Sequence, residues 1–312
     1  MSIPIDPQLQ TVIDEIASRG IPRWHALSVS AGRKIEDTTF GTDDEPSLPV
    51  GAVQDIGIDG PNGEIPIRMY RPAGDGPFPT IVYYHGGGWT LGTLDSVETI
   101  CRRLTRQAGC VVLSVDYRLA PEHPFPEPLD DAVAALDWAS THADVFFGDP
   151  DRLAVAGTSA GGNLAAAVAL HAREFDGPKI ETQLLLYPAT GSDFSTESYT
   201  NNTEGPLLTR DDMIWFFEQY CRTPVDQYNP FVAPLLTPNL SDLPPATIVT
   251  AGHDPLRDEG RQYADRLSDA GVDVSLFDYP SMTHGFLSLV SDVDRAADAF
   301  EEIVADLQMR LV

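Results

Sequence analysis

The sequence predicts an α/β protein: a mostly parallel, eight-stranded sheet covered on both faces by helices. Two observations carry this. From residue 53 onward, short apolar, β-branched runs alternate with longer segments of helical periodicity, and such alternation implies a parallel sheet between helical layers. Several runs are apolar at consecutive positions, as strands buried on both faces must be. At 312 residues the chain can form one large domain with an ample core.

Strands are expected at Val53–Ile58, Ile65–Tyr70, Thr80–Tyr84, Cys110–Asp116, Leu153–Ala156, Gln183–Tyr187, Thr247–Ala251 and Val272–Tyr279. Helices are expected at Ser96–Gln107, Leu129–Thr141, Asn163–Glu174, Leu256–Ala270 and Asp292–Met309. Residues 1 to about 50 do not read as part of the sheet. Leu9, Val12, Ile13 and Ile16 give Pro7–Arg19 a helical apolar face, with Gly20 as its stop. A second short helix is expected from Pro22 to about Gly32, and Gly41–Pro46 reads as a loop. Between Ala189 and Ala233 the alternation breaks. Ser192–Gly205 is polar and turn-rich, and Asp211–Cys221 is an aromatic helix expected to pack on the N-terminal helices or on the site. The division expected is therefore 1–50 and 190–233 as helical segments outside the sheet, with 51–189 and 234–312 as the core.

Gly157-Thr158-Ser159-Ala160-Gly161 is the most informative stretch. It reads G-x-S-x-G between a buried strand and a small-residue helix, the context of a nucleophile elbow. A serine hydroxyl needs a base at its oxygen and a clear approach for a carbonyl, which the small neighbours of Ser159 allow. Without that context, the pattern is a glycine-rich connection with a chance serine. Three further features argue against chance. His85-Gly86-Gly87-Gly88-Trp89 follows an interior strand, and backbone N–H groups of such a loop can stabilise a developing oxyanion. The donors expected are Gly86 and Gly87, joined by Ala160. Asp254 stands just past the strand at Thr247–Ala251, where an acid can reach a site above the sheet, although Asp before Pro255 also suits a helix N-cap. His284 follows the last strand. The order Ser159, Asp254, His284 is that of one class of serine hydrolases, with His284 as base and Asp254 fixing its tautomer.

These motifs, with Tyr117–Glu122, Asp254–Gly260 and His284-Gly285-Phe286, resemble those of the hormone-sensitive-lipase-like carboxylesterases of the α/β-hydrolase superfamily, of the GTSAG type. The resemblance runs from about Val53 to the C-terminus. It implies the α/β-hydrolase fold, N-terminal helices forming part of a cap, and hydrolysis of short- to medium-chain carboxylic esters through an acyl-enzyme, with a small-molecule ester as substrate and no cofactor. Trp89 stands where family members often carry Phe, and is expected to narrow one wall of the pocket; Trp215 and Phe286 are expected to line it as well. An amidase or deacetylase would use the same residues. A non-catalytic small-molecule receptor on this fold would be expected to lack a triad member, and all three are present. Arg118 and Glu122 are expected to form an ion pair that braces the glycine loop, and His25, His123, His142, His171 and His253 to be structural or superficial.

Composition bounds the rest. The formal charge is −27, from 47 acidic and 20 basic residues, and Lys34 and Lys179 are the only lysines. The acids are scattered, which reads as a hydrated surface suited to high salt rather than an acidic tail. Such a surface disfavours nucleic acid and anionic membranes, since phosphate neutralisation needs a basic face. Cys101, Cys110 and Cys221 give neither a disulfide framework nor metal spacing, so no metal is expected. No signal-peptide pattern opens the chain and no apolar run nears spanning length, so a cytoplasmic protein is expected; a homodimer is compatible with the sequence.

Overall fold

The computed structural model describes residues 3–40 and 48–311; the loop expected at Gly41–Pro46 lies outside them. Within the described residues the strands are β1 (Ala52–Gly60), β2 (Gly63–Arg71), β3 (Phe78–Tyr84), β4 (Val111–Val115), β5 (Gly148–Thr158), β6 (Thr182–Leu186), β7 (Ala246–His253) and β8 (Val274–Thr283). They form one sheet in the order β1-β2-β4-β3-β5-β6-β7-β8. β2 pairs antiparallel with both β1 and β4, and the other neighbours are parallel. This is the eight-stranded, mostly parallel sheet that the alternation implies.

Side chains alternate across each strand, so each strand feeds two apolar layers. Val82, Leu113, Val155 and Leu185 join one cluster, together with α4 (Glu127–Thr141), α5 (Ala160–Glu174), α7 (Arg210–Tyr220) and α8 (Arg257–Asp269). Their neighbours Ile81, Val112, Ala154 and Leu184 join the other, with α3 (Glu98–Arg103) and α9 (Asp294–Arg310). α1 (Pro7–Ser18) also packs there through Leu9 and Ile13, so the N-terminal segment is anchored on the core. Asp6 caps α1 by accepting from Gln8 and Leu9 N–H groups.

Several local expectations are corrected. The second N-terminal helix is α2 (Val29–Phe40), preceded by a 3₁₀ turn at Trp24–Ala26. Gly32 lies inside α2 rather than at its end: a Cβ there would sit 3.2 Å from Leu91, so the glycine allows α2 to approach the loop after β3. The polar stretch 192–205 contains a short helix, α6 (Glu197–Asn201), capped by the Thr196 side chain. α3 continues as a π-helical turn to Ala108, and α5 starts at Ala160, three residues earlier than expected. Arg118 does not pair with Glu122; it holds Glu127 and Asp131 (2.8 and 2.7 Å), and Glu122 pairs with Arg33 at 2.7 Å.

Candidate active site

The site lies at the C-terminal ends of the parallel strands, where open α/β sheets present their ligands. β5 ends at Thr158 and α5 begins at Ala160, so Ser159 alone makes the turn. Its backbone is held at φ 55°, ψ −117°, a strained conformation for a residue with a side chain. The turn closes because residue 161 is glycine. A Cβ there would lie 1.9 Å from the Tyr84 carbonyl oxygen at the end of β3. The Ser159 N–H donates to the Leu186 carbonyl at 2.9 Å, fixing the turn on β6.

Asp254 follows β7 and His284 follows β8. His284 Nε2 lies 2.9 Å from Ser159 Oγ, and His284 Nδ1 lies 2.8 Å from Asp254 Oδ2. Asp254 is fully buried, and its Oδ1 accepts from the Leu256 N–H at 2.8 Å. Asp254 therefore meets the histidine with one oxygen and closes a turn with the other, but it is not the helix N-cap: α8 starts at Arg257, its N-cap position is Leu256, and no side chain caps it.

The glycine loop lies beside the serine because β3 neighbours β5. Gly86 and Gly87 line the same cavity as Ser159. Among the described residues no carbonyl or side chain takes their N–H groups, and Ala160, the first residue of α5, has no intrahelical acceptor for its own. The loop is braced from below by Tyr117, not by an Arg118–Glu122 pair. Tyr117 stacks on the His85 ring at 4.2 Å and donates its hydroxyl to the His85 carbonyl at 2.8 Å. Burial pushes His85 down to about 4, so its ring is neutral over the ordinary working range; with Nδ1 protonated, it donates to the Gly86 carbonyl at 2.7 Å. From α2, Arg33 donates to the Thr90 and Ala120 carbonyls, both at 2.9 Å.

The cavity in front of Ser159 holds about 170 Å³. Its walls are chiefly apolar: Leu91 and Val97 from the core, Trp24 from the N-terminal segment, Leu208, Met213 and Phe216 from the insertion. The three residues expected to line it do not. Trp89 is fully buried, stacked on Tyr220 at 4.3 Å and edge-on to Phe217 at 5.1 Å, where it fastens α7 to the glycine loop. Trp215 lies on the face of α7 away from the site. Met213, Phe216, Phe217 and Tyr220, spaced three, four and seven apart, make the inward face. Phe286 is buried behind the site, with ring centroids 5.9 Å from Tyr187 and 5.3 Å from Tyr279. Gly285 and Ser288 face the cavity instead.

Sequence reasoning missed Tyr187, whose ring meets that of His284 edge-on at 5.0 Å and lines the cavity. The signal was there: it stands immediately after a strand, as Ser159 and His284 do. It also missed Glu36, a buried carboxyl of α2 that lines the cavity. Burial pushes the Glu36 carboxyl up to about 7, helped by the charge of Asp37 and only partly offset by Ser96 and the Gly92 backbone. Folding therefore tightens its hold on a proton. Its contribution to stability is complete below about pH 4.5 and is lost as the pH rises through 7, worth about 2–4 kcal/mol. Glu36→Gln is expected to raise the denaturation midpoint by several degrees at pH 8 and to leave it within about a degree at pH 4.5. Equal midpoint changes at both values would show that Glu36 ionises without cost.

Of the other histidines, His25 meets Asp212 at 2.8 Å, tying the N-terminal segment to α7, and His253 lies 2.8 Å from the Ile3 carbonyl. Among the described residues no group of histidine, cysteine and carboxylate side chains is placed to hold a metal.

The alpha/beta hydrolase fold family matches residues 81–288. The carboxylic ester hydrolase LipN of Mycobacterium tuberculosis is 49% identical over 83% of this chain and 70% of its own. Carboxylesterase NlhH of the same organism is 45% identical over 82% of this chain and 81% of its own. An ester hydrolase from the metagenome of Lake Arreo, solved in complex with a derivative of bipyridine phosphonate, superposes with a TM-score of 0.92 at 40% identity, covering 98% of both chains. With the sheet order, the serine turn and the matched length together, the chain belongs to the hormone-sensitive-lipase-like carboxylesterase family of the α/β-hydrolase superfamily.

Proposed function

We propose that this carboxylesterase works through an acyl-enzyme on Ser159 and takes small, single esters of short- to medium-chain acids. The observation that supports it is the relay of 2.9 and 2.8 Å from Ser159 through His284 to Asp254, at the wall of a mostly apolar cavity. Ser159 Oγ attacks the ester carbonyl as His284 Nε2 takes its proton. The charge on the carbonyl oxygen is met by the N–H groups of Gly86, Gly87 and Ala160, which are already in place. His284 returns the proton to the leaving alcohol, then draws one from the water that releases the acid. Asp254 keeps Nδ1 protonated, so that Nε2 is free to act as base. Residues 1–50 and 190–233 act as the cap: Trp24 from the first and Phe216 from the second both line the cavity.

A cavity of about 170 Å³ suits one chain at a time and offers no broad apolar face to an oil surface. Soluble p-nitrophenyl esters are expected to be hydrolysed at saturating rates, matched anilides at least about 100-fold more slowly, and emulsified long-chain triglyceride without any jump in rate as droplets form. Interfacial activation on the emulsion would refute this reading, and equal rates on the anilides would move it to an amidase.

Its setting follows from charge and thiols. No helix among the described residues is long and apolar enough to cross a membrane. Cys101 and Cys110 are buried and Cys221 half-buried, all three unbridged, which suits the reducing cytoplasm in which we place the protein. The acidic excess suits high salt. Even the cations present are shared: Arg68 alone serves Asp55, Asp95 and Glu98. Exposed ion pairs contribute little, whereas the uncompensated repulsion is screened once the Debye length falls to about 3 Å at 1 M salt. The thermal midpoint is expected to rise by roughly 5–10 °C between low salt and molar KCl. A midpoint that falls would assign the charge to solubility alone.

A further inference from the structure

The cavity in front of Ser159 is walled chiefly by apolar side chains, and several of its polar groups are already committed. Ser96 Oγ donates to the Thr93 carbonyl at 2.8 Å and accepts from the Thr93 N–H at 3.1 Å. Thr158 Oγ accepts from the Tyr83 hydroxyl at 3.3 Å. Ser159 and His284 belong to the relay. Glu36 of α2 is different. It lines the cavity, is 8% exposed, and its Oε2 is buried with no hydrogen bond among the described residues. Arg33, one turn earlier on the same helix, does not pair with it: its guanidinium is taken by the Thr90 and Ala120 carbonyls and by Glu122. Asp37, next to it, carries the same sign of charge, and Ser96 and the Gly92 backbone offset its burial only in part. A buried carboxyl with an unfilled oxygen costs stability, whereas leucine or methionine would fill a similar volume without that cost. A local rule broken in this way at the wall of a substrate cavity points to a role in binding.

We infer that Glu36 accepts a hydrogen bond from a hydroxyl of the substrate, and that the enzyme prefers short esters carrying a hydroxyl, in the acid or in the alcohol half, over plain ones of the same shape. The inference rests on the ester-hydrolase reading and deepens it. A carboxyl accepts from an O–H group whether or not it holds its own proton, so this recognition does not depend on the ionisation of Glu36. A plain hydrocarbon chain in the same place leaves Oε2 unfilled in the complex. The site therefore discriminates against the plain ester, as polar groups left unpaired by an analogue do elsewhere. A hydroxyl suits these walls better than an ammonium group would, because a cation pressed among apolar side chains needs more than one partner to replace its water.

The test compares kcat/KM within two pairs of esters in which a hydroxyl replaces a methyl group. One pair is ethyl 3-hydroxybutanoate and ethyl 3-methylbutanoate; the other is 2-hydroxyethyl butanoate and propyl butanoate. Acid release is followed by titration at constant pH, and comparing variants with wild type cancels the intrinsic reactivity of each ester. Glu36→Leu is expected to lower the hydroxyl-to-methyl ratio at least about tenfold in at least one pair, the worth of one buried hydrogen bond. The pair that responds tells which half of the ester carries the hydroxyl. Glu36→Gln keeps a carbonyl oxygen and is expected to hold that ratio within about threefold. A residue that merely supported the fold would move both members of a pair together and leave the ratio alone. If Glu36→Leu fails to fold, Glu36→Met removes the same oxygens. Ratios unchanged within twofold in both pairs, in a folded variant, would overturn the inference while leaving the ester-hydrolase reading intact. Wild-type protein that cleaves none of the four esters would overturn that reading itself.

Discussion

Ser159→Ala is expected to lower kcat for ester hydrolysis by about 10⁶-fold with the fold unchanged. The size follows from what the hydroxyl does: without Oγ no acyl-enzyme forms, and His284 has no nucleophile to activate. What remains is water attacking an ester held against the glycine loop, an advantage of about 10³–10⁴ over free solution. The fold survives because the Ser159 side chain makes no cap bond to α5, and its one hydrogen bond among the described residues is to His284. The strain at φ 55° is in the backbone, and alanine bears it no worse than serine. The measurement is initial rates on p-nitrophenyl butanoate, with the thermal midpoint alongside. A phosphonate ester should add covalently to the wild type and not to the variant, by mass. Turnover within tenfold of wild type, at an unchanged midpoint, would remove Ser159 from the mechanism.

Much of the fold was legible because parallel strands buried on both faces leave unbroken apolar runs. β4 and β6 are buried along their whole lengths and read clearly. Where a strand begins among turn residues, sequence misleads. β5 starts at Gly148, because Gly148 pairs with Phe78, though Gly148-Asp149-Pro150-Asp151 has the look of a turn. The second N-terminal helix, expected to run from Pro22 to about Gly32, instead spans Val29–Phe40, with Gly32 inside it and packed close on Leu91. The convergence of Ser159, His284 and Asp254 was legible because the chemistry proposed for them restricts residue type and chain order. The pocket wall was less so. Trp89 stands beside the glycine loop in sequence but points into the core, and nothing local tells which way an aromatic ring turns. For α7 the information was present: its 3.6-residue period selects Met213 and Phe216 for the inside and excludes Trp215. Glu36 was illegible because its burial depends on α2, Gly92 and Ser96 meeting across more than fifty residues of chain.

Asp254→Asn separates the two readings of that position. If Asp254 served only to close the turn before α8, asparagine would replace it with little effect, since its side-chain oxygen accepts from a backbone N–H two residues on as a carboxylate oxygen does. The geometry predicts otherwise. Asparagine has one carbonyl oxygen, and it can keep the bond that Asp254 Oδ1 accepts from the Leu256 N–H at 2.8 Å. The amide NH₂ then faces His284 Nδ1, at a site where an acceptor stood 2.8 Å away. Two donors cannot share that contact, so the imidazole moves its proton to Nε2. Nε2–H then points at Ser159 Oγ, and the base is lost. Asp254 is fully buried, so water does not rescue the tautomer. The expected loss is about 10⁴ in kcat, with KM little changed because the cavity walls are untouched. Stability should fall little, because the bond to the Leu256 N–H survives. Asp254→Ala, which removes both functions, should lose a similar amount of activity and in addition about 1 kcal/mol of stability from the lost turn bond. Rates and denaturation midpoints on the two variants decide the matter: full activity in the asparagine variant would leave Asp254 as a turn residue and nothing more.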